Sequence, residues 1–401
     1  MKVKEIIEKL KEEGKTYELK DEIVLISHTD LDGYGCNIVL KSVDTGDNIR
    51  TIYNVDYQHV TDVIVNVFTK IVTEQKCPKY VFITDVSSPS KDINKMIDTY
   101  VNVCENSNLF LIDHHDTSYE KLKDYKWAHI IPNTWRSATE LLYVSISSIV
   151  EKDNSDLKPK RYFYLLENVI TTISRYDTWA WRDDYKDGSE ILLNAIFLDY
   201  ADKNEFVDEI ISLTEHWYDY DWYDYGKLGV KPISYIYQQH QNTINNYKNA
   251  LDCACSRALK RTVLCRLGEY RCALLISEDY ISMVSDYIER TADDIFGGVD
   301  IVITLIPNSC QCSLRTNKDD INLGRVAKYL SFDGNGGGHL KAAGCKLSTH
   351  TMLSLIETYY IEKSMNTVVN ESEKTIDIEA GKTYVDIDDS LLVDITPMIA
   401  K

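Results

Sequence analysis

The feature that most constrains the fold is a run of four apolar residues, Leu109 to Ile112, that ends in the polar sequence Asp113-His114-His115-Asp116. An uninterrupted apolar run of this kind is typical of a parallel strand that is covered on both faces. Ligands of open α/β sheets bind just beyond the carboxyl ends of the strands, so these acids and imidazoles stand where a site is expected. The alternative is a polar turn that follows a core strand and has no function.

Three more runs in the same half of the chain lead into acidic residues. They are Glu22 to Ser27 before His28, Asp30 and Asp32, Tyr80 to Thr84 before Asp85, and Val169 to Ser174 before Asp177. We group all three with the strand ends, although a helix is also predicted from Arg161 to Asp177. Two unit charges about 4 Å apart repel by about 4 kcal/mol at an effective dielectric of 20. The mixture of acids and imidazoles therefore favours divalent metal, with two ions that share one bridging acid.

Strand and helix patterns alternate through the first half of the chain, which predicts a doubly wound parallel α/β sheet. A length of 401 residues is comfortable for two domains. No apolar run is long enough to span a bilayer, and Met1 to Leu10 has the pattern of a charged amphipathic helix, which differs from that of a signal peptide. Ten scattered cysteines favour reduced thiols and a cytoplasmic location.

The net charge of −19 constrains the partners of the chain. Proteins that hold long nucleic acid by its backbone usually carry a basic surface. We therefore expect no binding of long duplex DNA. A short phosphodiester that is held by metal ions and a few cationic side chains remains compatible with this charge.

Several of these segments resemble a known family. His28-Thr29-Asp30-Leu31-Asp32-Gly33, Asp85, Asp113-His114-His115 and Asp177 look like the four ordered motifs of the DHH phosphoesterase superfamily. The segment from Asn335 to Gly344 resembles the GGGHxxAAG signature of the DHHA1 domain. A single His-x-Asp-x-Asp pattern would be a weak signal, whereas four ordered motifs with the C-terminal signature are specific.

The resemblance implies an N-terminal DHH domain with a doubly wound parallel sheet and a smaller α/β DHHA1 domain, joined by a helical linker across a cleft. We expect the DHH catalytic domain at 1–180, an aromatic-rich helical linker at 181–250, the DHHA1 substrate-binding domain at 251–360 and a C-terminal extension at 361–401. The linker contains Trp217 to Tyr225, which is dense in aromatics and acids. That segment is either a platform that stacks bases or, as we prefer, a packing segment.

The resemblance also assigns roles to the metal-binding candidates. One ion is expected on His28, Asp30 and Asp85, and the other on Asp32, Asp85, His114 and Asp177. The family usually prefers manganese, and the mixed nitrogen and oxygen ligands suit Mn²⁺, with Mg²⁺ as the second choice. Asp113 is expected to orient a ligand, and His115 to lie close enough to touch the scissile phosphate. These two residues are the catalytic candidates.

The candidates for substrate binding lie in the DHHA1-like segment. Consecutive glycines at Gly336, Gly337 and Gly338 allow the backbone to approach a phosphate and expose amide donors. His339 is then expected to contact the phosphate, and Arg315 to grip another one with two hydrogen bonds. A glycine-rich turn without a ligand is the alternative.

Length, the Tyr-Asp-Thr-Trp sequence at 176–179 and the long middle linker are most similar to the nanoRNase B branch of the nanoRNase-type oligoribonucleases. This likeness implies metal-dependent hydrolysis of short oligonucleotides or linear dinucleotides to 5′-mononucleotides, and homodimers occur in the family. A RecJ-like single-strand exonuclease and a cyclic (di)nucleotide phosphodiesterase remain as enzymatic alternatives. The non-enzymatic alternative is a nucleotide-binding regulator that retains the fold.

Overall fold

A computed structural model of the chain describes residues 1–44, 49–104, 107–132, 135–150, 157–180, 188–221, 232–334, 336–338, 340–372 and 392–399. Its contacts divide the chain into two compact units, Met1–Asn245 and Asn246–Lys401. All ten cysteines fall within the described residues, and each is a free thiol. Over these same ranges, no helix has both the length and the apolar character needed to cross a lipid bilayer.

The first unit is built on a five-stranded parallel sheet with the strand order β3-β1-β4-β5-β6. Two further short strands, β2 and β7, pair antiparallel with each other. The strands of this unit are β1 (Glu18–Ser27), β2 (Val43–Asp44), β3 (Ile49–Asn54), β4 (Lys76–Thr84), β5 (Asn108–Asp113), β6 (Ala128–Ile130) and β7 (Lys158–Pro159).

Helices alternate with these strands along the chain. Those of the first unit are α1 (Val3–Glu13), α2 (Leu31–Lys41), α3 (Val60–Glu74), α4 (Lys91–Val103), α5 (Asp116–Leu122), α6 (Ala138–Val150), α7 (Glu167–Asp177), α8 (Ser189–Asp199), α9 (Lys203–His216) and α10 (Pro232–Gln239). A further helix, α11 (Gln241–Leu259), runs across the division between the two units.

Alternating residues of the central strands pack on opposite faces of the parallel sheet. Ile23 and Leu25 belong to a core with α2, α6 and α7, whereas Val24 and Ile26 belong to a core with α1, α3 and α4. Because successive side chains of a strand point to opposite faces, an apolar run such as 23–26 needs helices on both sides. The predicted doubly wound parallel sheet is confirmed.

The register of the sheet aligns the carboxyl ends of its strands. Ser27 of β1 is the partner of Thr84 of β4, and Thr84 is the partner of Ile112 of β5. The residues that follow these three positions, beginning with His28, Asp85 and Asp113, therefore leave the sheet at one edge. Parallel strands in register are sufficient to bring motifs that are up to 85 residues apart in sequence to the same edge.

The grouping of the run before Asp177 with the strand ends is wrong, and the helix prediction for the same segment is confirmed. Asp177 is the last residue of α7. Val169, Ile170 and Ile173 are all buried there, and their spacing of one, three and four residues places them on one helical face. A run of β-branched residues resembles a strand locally, but here its buried face follows the helical period.

The segment at 181–250, expected to be a linker, contributes to the core of the first unit in its described part. Phe197 of α8 and Phe206 and Ile210 of α9 are buried in the same core as the strand residues Ile23 and Leu25. The ring centroids of Phe197 and Phe206 lie 5.3 Å apart in an edge-to-face arrangement. The four-segment division of the chain stays a prediction, while these helices pack on the first unit.

Only part of the aromatic segment at 217–225 lies in the described residues. Trp217 is buried, and the Arg161 guanidinium is 2.6 Å from the Asp219 carboxylate and 5.7 Å from the centre of the Tyr218 ring. These contacts fit the interpretation of a packing segment. Residues 222–225 fall outside the described ranges.

The second unit contains a six-stranded mixed sheet with the order β12-β13-β11-β10-β9-β8. Its elements are β8 (Val263–Leu267), β9 (Tyr270–Ile276), α12 (Ile281–Phe296), β10 (Ile301–Ile306), β11 (Gln311–Arg315), α13 (Leu323–Leu330), β12 (Gly337–Gly338), β13 (Ala342–Lys346), α14 (Thr349–Ser372) and α15 (Thr396–Ile399). Strands β9 and β10 are parallel, and the other pairs are antiparallel.

Part of the C-terminal extension packs on the second unit. The Arg266 amide of β8 donates to the Val393 carbonyl, and the Ile395 amide donates back to Arg266. Ile395 is buried in the core of this unit. The described end of the extension is therefore an element of the second unit.

We expect Phe206→Ala to lower the free energy of unfolding of the first unit by about 3–5 kcal/mol, because the substitution leaves a cavity in the core. The matched control is Leu198→Ala on the neighbouring helix, where the side chain is 53% exposed and the cost should stay within about 0.5 kcal/mol. Urea unfolding followed by tryptophan fluorescence measures both. Equal, small costs would mean that residues 203–216 are a linker that the core does not need.

Candidate metal centre

The first part of the site is the turn between β1 and α2. Asp30 is the N-cap of α2, and its side chain accepts a hydrogen bond of 3.0 Å from the Gly33 amide. A Cβ at Gly33 would lie 2.1 Å from the His28 carbonyl oxygen, so only glycine fits this turn. The turn places His28 Nδ1 2.8 Å from the other carboxylate oxygen of Asp30. This imidazole and this carboxylate form one side of the site.

Asp85 lies between two imidazoles. Its Oδ2 is 3.7 Å from His28 Nδ1, and its Oδ1 is 3.6 Å from His114 Nε2. The residue is 1% exposed, and its φ of 60° is in the left-handed region that non-glycine residues rarely adopt. Backbone strain of this kind costs about 1–3 kcal/mol and is concentrated at functional sites. The carboxylate of Asp85 therefore faces both halves of the cluster.

The second part of the site joins α2, β5 and α7. His114 Nε2 is 3.1 Å from Asp177 Oδ2. Asp32 is buried, and its carboxylate accepts hydrogen bonds from the amides of Ala138 (2.9 Å) and Thr139 (3.1 Å), at the N-terminus of α6. The Thr139 hydroxyl donates to the Asp32 carbonyl oxygen. A helix N-terminus is a favourable place for a carboxylate, so α6 holds Asp32 in position.

Asp113 holds the turn that carries the two imidazoles. Its Oδ1 accepts hydrogen bonds from the amides of His114 (2.7 Å) and His115 (3.2 Å), and it is 2.7 Å from His115 Nδ1. Asp113 is fully buried, while the side chain of His115 is 21% exposed. With Nδ1 held by Asp113, the Nε2 atom of His115 is the one directed away from this carboxylate.

The cluster holds more negative charge than its imidazoles balance. Burial, together with the nearby acids, raises the pKa of Asp85 well above its usual range, and burial next to Asp177 raises the pKa of Asp32 to about 6. Burial opposes the charged form of His114, yet Asp177 raises the pKa of that imidazole to about 9. These shifts all reflect a site that stabilises added positive charge.

The residues fit a divalent cation. Three groups of side chains each place ligand atoms within 4.8 Å of one another; they are His28, Asp30 and Asp85, then Asp32, His114 and Asp177, then Asp85, Asp113, His114 and His115. The Oδ2 atoms of Asp85 and Asp113 are buried and accept no hydrogen bond from the described residues. Buried carboxylate oxygens of this kind are either protonated or bound to a cation.

The substrate-binding candidates of the second unit lie on neighbouring strands. Arg315 of β11 is the partner of Ala342 of β13, and Gly338 of β12 is the partner of the next residue, Ala343. A Cβ at Gly336 would lie 2.2 Å from the Ala327 carbonyl oxygen of α13, so at least this glycine is required for packing. His339 falls outside the described residues.

No protein-family model matches the chain. The oligoribonuclease NrnB of Bacillus subtilis is 25% identical to it over 329 residues, which are 81% of this chain and 72% of that protein. This match confirms the expected resemblance to the DHH phosphoesterase superfamily. The relatives that match in sequence are an oligoribonuclease and a phosphodiesterase, and this chain is likewise a hydrolase that acts on phosphoric ester bonds.

Two further comparisons involve phosphodiesterases. A 3′,5′-cyclic-nucleotide phosphodiesterase of Helicobacter pylori is 25% identical to this chain over 162 residues, which are 39% of this chain and 44% of that protein. The solved structure of a pGpG-specific phosphodiesterase, PggH of Vibrio cholerae, aligns with a TM-score of 0.45 at 15% identity, covering 87% of this chain and 99% of that one.

Two features of this site were not predicted from the sequence. One is the pair of amides at the start of α6 that hold Asp32, because a sequence does not show which carboxylate a helix N-terminus faces. Tyr57, in the loop after β3, lies with its ring centroid 4.5 Å from that of His28. No motif marks this tyrosine, and only the edge position of β3 next to β1 brings it to the site.

We expect Thr139→Val to weaken Mn²⁺ binding about 10-fold to 100-fold, because the variant loses the hydroxyl that holds the backbone of Asp32. The matched control is Thr214→Val, since Thr214 is also fully buried in a helix and its hydroxyl donates to the Ile210 carbonyl. Isothermal titration calorimetry with Mn²⁺ measures both. An equal effect of the two variants would show that the Thr139 hydroxyl has no specific role at the metal centre.

Proposed function

We propose that this phosphoesterase hydrolyses short oligonucleotides or linear dinucleotides to 5′-mononucleotides with the help of two divalent cations, Mn²⁺ before Mg²⁺. The observation that carries the proposal is the position of Asp85, whose two carboxylate oxygens face the imidazoles of His28 and His114. A carboxylate between two ligand groups is the arrangement that a pair of ions requires. The relative that matches 81% of the chain is named an oligoribonuclease.

Six residues are the proposed ligands. We assign His28, Asp30 and Asp85 to one ion and Asp32, Asp85, His114 and Asp177 to the other. When bound, such ions would supply an activated water molecule and would neutralise charge on the oxygens of the phosphate whose phosphorus atom the water attacks. The protein contributes by holding the acids in place before any ion arrives, through the α6 amides on Asp32 and the Gly33 amide on Asp30.

His115 is the proposed contact to the scissile phosphate, and Asp113 is the residue that orients it. The hydrogen bond between His115 Nδ1 and Asp113 fixes the ring with Nε2 directed away from Asp113, and we assign Nε2 to the contact with the substrate. Burial opposes the charged form of Asp113, but the neighbouring His115 and His114 hold the pKa of this carboxyl below its usual range. An ionised Asp113 can accept a hydrogen bond from His115 Nδ1, and this contact orients the ring toward a phosphate or leaving oxygen.

In the second unit, Arg315, Gly336, Gly337, Gly338 and His339 are the proposed ligands of a further substrate phosphate. The Arg315 guanidinium donates to Ser282 Oγ (3.1 Å), to Ser313 Oγ (3.3 Å) and to the Leu314 carbonyl (2.9 Å). These bonds hold the planar group in one orientation, which suits recognition of an anion by two hydrogen bonds. The net charge of −19 supports a short substrate over a long one.

A cyclic-nucleotide phosphodiesterase is the second candidate. The observation that favours it is the 162-residue match to a relative with that name. Cyclic and linear substrates contain the same phosphodiester bond, so the proposed metal ligands serve either one. Assays with 3′,5′-cyclic mononucleotides and with cyclic dinucleotides decide between the two candidates.

We expect the wild type to release mononucleotides from a labelled RNA dinucleotide with Mn²⁺, and EDTA to abolish this release. His115→Ala should lower kcat by about 10²-fold to 10⁴-fold, the usual contribution of a positioned acid or base. Asp85→Asn should lower it by at least about 10²-fold, because the amide keeps a single oxygen and one of the two ligand groups loses its Asp85 ligand. The control is Asp92→Asn, which changes an exposed acid in the first turn of α4 and should retain wild-type activity.

The same assay compares the dinucleotide with a long single strand. A higher kcat/KM on the dinucleotide supports the short-substrate proposal, whereas a higher value on the long strand indicates a RecJ-like exonuclease. If the wild type binds nucleotide but releases no product from any of these substrates, the regulator is the better interpretation.

A further inference from the structure

Tyr57 lies at the rim of the metal centre, in the loop between β3 and α3. Its ring centroid is 4.5 Å from that of His28, and it is 6.3 Å from that of His115 with the planes at 89°. The side chain is 51% exposed. The aromatic ring therefore lies next to the imidazoles of His28 and His115, and about half of the side chain remains exposed to solvent.

The loop that carries Tyr57 is held in place on both sides of the residue. The Val55 amide donates to the Ser27 carbonyl at 2.8 Å, and the Val55 side chain is buried. The Asp56 carboxylate accepts hydrogen bonds from the amides of Gln58 (2.9 Å) and His59 (3.0 Å). The position of the ring is therefore fixed before any substrate binds, which lowers the entropic cost of a contact to that substrate.

The hydroxyl of Tyr57 lies near His115 Nε2, the ring nitrogen that does not contact Asp113. It lies 3.5 Å from His115 Nε2 and 3.5 Å from the Asp85 carbonyl oxygen. The His115 ring therefore has Asp113 next to its Nδ1 atom and the Tyr57 hydroxyl near its Nε2 atom. These two neighbours restrict the rotation of the imidazole.

The exposed surface of the ring suits a flat apolar group. Every nucleobase has such a face, and the stacking of a base on an aromatic side chain changes affinity by about 10-fold or more. Because Tyr57 lies next to His28 and His115, a nucleoside joined to a phosphate at the cluster would be a neighbour of this ring. The competing interpretation is that Tyr57 only shields His28 from water, which predicts no dependence on the base.

We propose that Tyr57 is a substrate-binding residue whose ring takes the base next to the scissile phosphate and whose hydroxyl positions His115. The inference rests on the proposed function and adds a base-recognition element to it. The ring and the hydroxyl are separable by substitution, because Tyr57→Phe removes only the hydroxyl and Tyr57→Leu removes the ring as well.

The experiment measures kcat and KM of both variants on an RNA dinucleotide and on the same compound without its bases. We expect Tyr57→Leu to raise KM about 10-fold on the dinucleotide and to leave KM on the abasic compound unchanged. Tyr57→Phe should retain the KM of the wild type and lower kcat about 3-fold to 10-fold. The matched control is Tyr164→Leu, which removes a tyrosine that is 53% exposed and lies in the turn before α7.

Two results would overturn the assignment of the ring. One is an equal change of KM on the dinucleotide and on the abasic compound, and the other is a loss of Mn²⁺ affinity in Tyr57→Leu by calorimetry, which would make the ring a support for His28. An unchanged kcat in Tyr57→Phe would overturn the role of the hydroxyl.

A separate binding measurement distinguishes failure of the proposed function from failure of the Tyr57 inference. If the wild type turns over neither compound, calorimetry with the dinucleotide alone compares its affinity for the wild type and for Tyr57→Leu. If the variant binds the dinucleotide about 10-fold more weakly than the wild type, the base contact of Tyr57 is supported even though the protein is not catalytic. Equal binding, or no binding by the wild type, overturns the inference.

Discussion

The structure depends on a concentration of buried negative charge at the carboxyl edge of one parallel sheet. Asp85 is at its centre, with one oxygen toward His28 and the other toward His114. Burial of a carboxylate is unfavourable unless a proton, a hydrogen bond or a cation compensates it. The parallel register that aligns Ser27, Thr84 and Ile112 creates this concentration, so fold and metal centre are two results of the same strand order.

Backbone amides hold the acids that the cations would otherwise have to position. Asp32 receives two amides from the start of α6, and Asp113 receives two from the turn that follows it. Such donors belong to rigid elements and cost little reorganisation when a ligand binds. The site is therefore organised by secondary structure as much as by its side chains, and the strained backbone of Asp85 is tolerated because its neighbours are fixed.

Local sequence patterns predicted most of the helices and strands. They failed where contacts between residues distant in sequence determine the structure. The apolar runs before His28, Asp85 and Asp113 predicted strand ends correctly, because buried parallel strands have a local signature. The run before Asp177 has the same apolar appearance, but it is a helix. Only the pattern of its buried residues shows the helical period. The sequence of the helices at 189–216 did not show that they pack into the core of the first unit. Tyr57 carries no pattern at all, and only the neighbouring strand places it beside His28.

The hydrogen bonds between Arg266 and the segment at 393–395 have a consequence for association. β8 is the last strand in the order of the second sheet, and the outer edge of a sheet is a template on which another chain can add a strand. The short bridge at Arg266 and the buried Ile395 occupy that edge from within the same molecule. At Arg266, this piece of the C-terminal extension therefore takes the backbone hydrogen bonds that a strand added from another molecule would need.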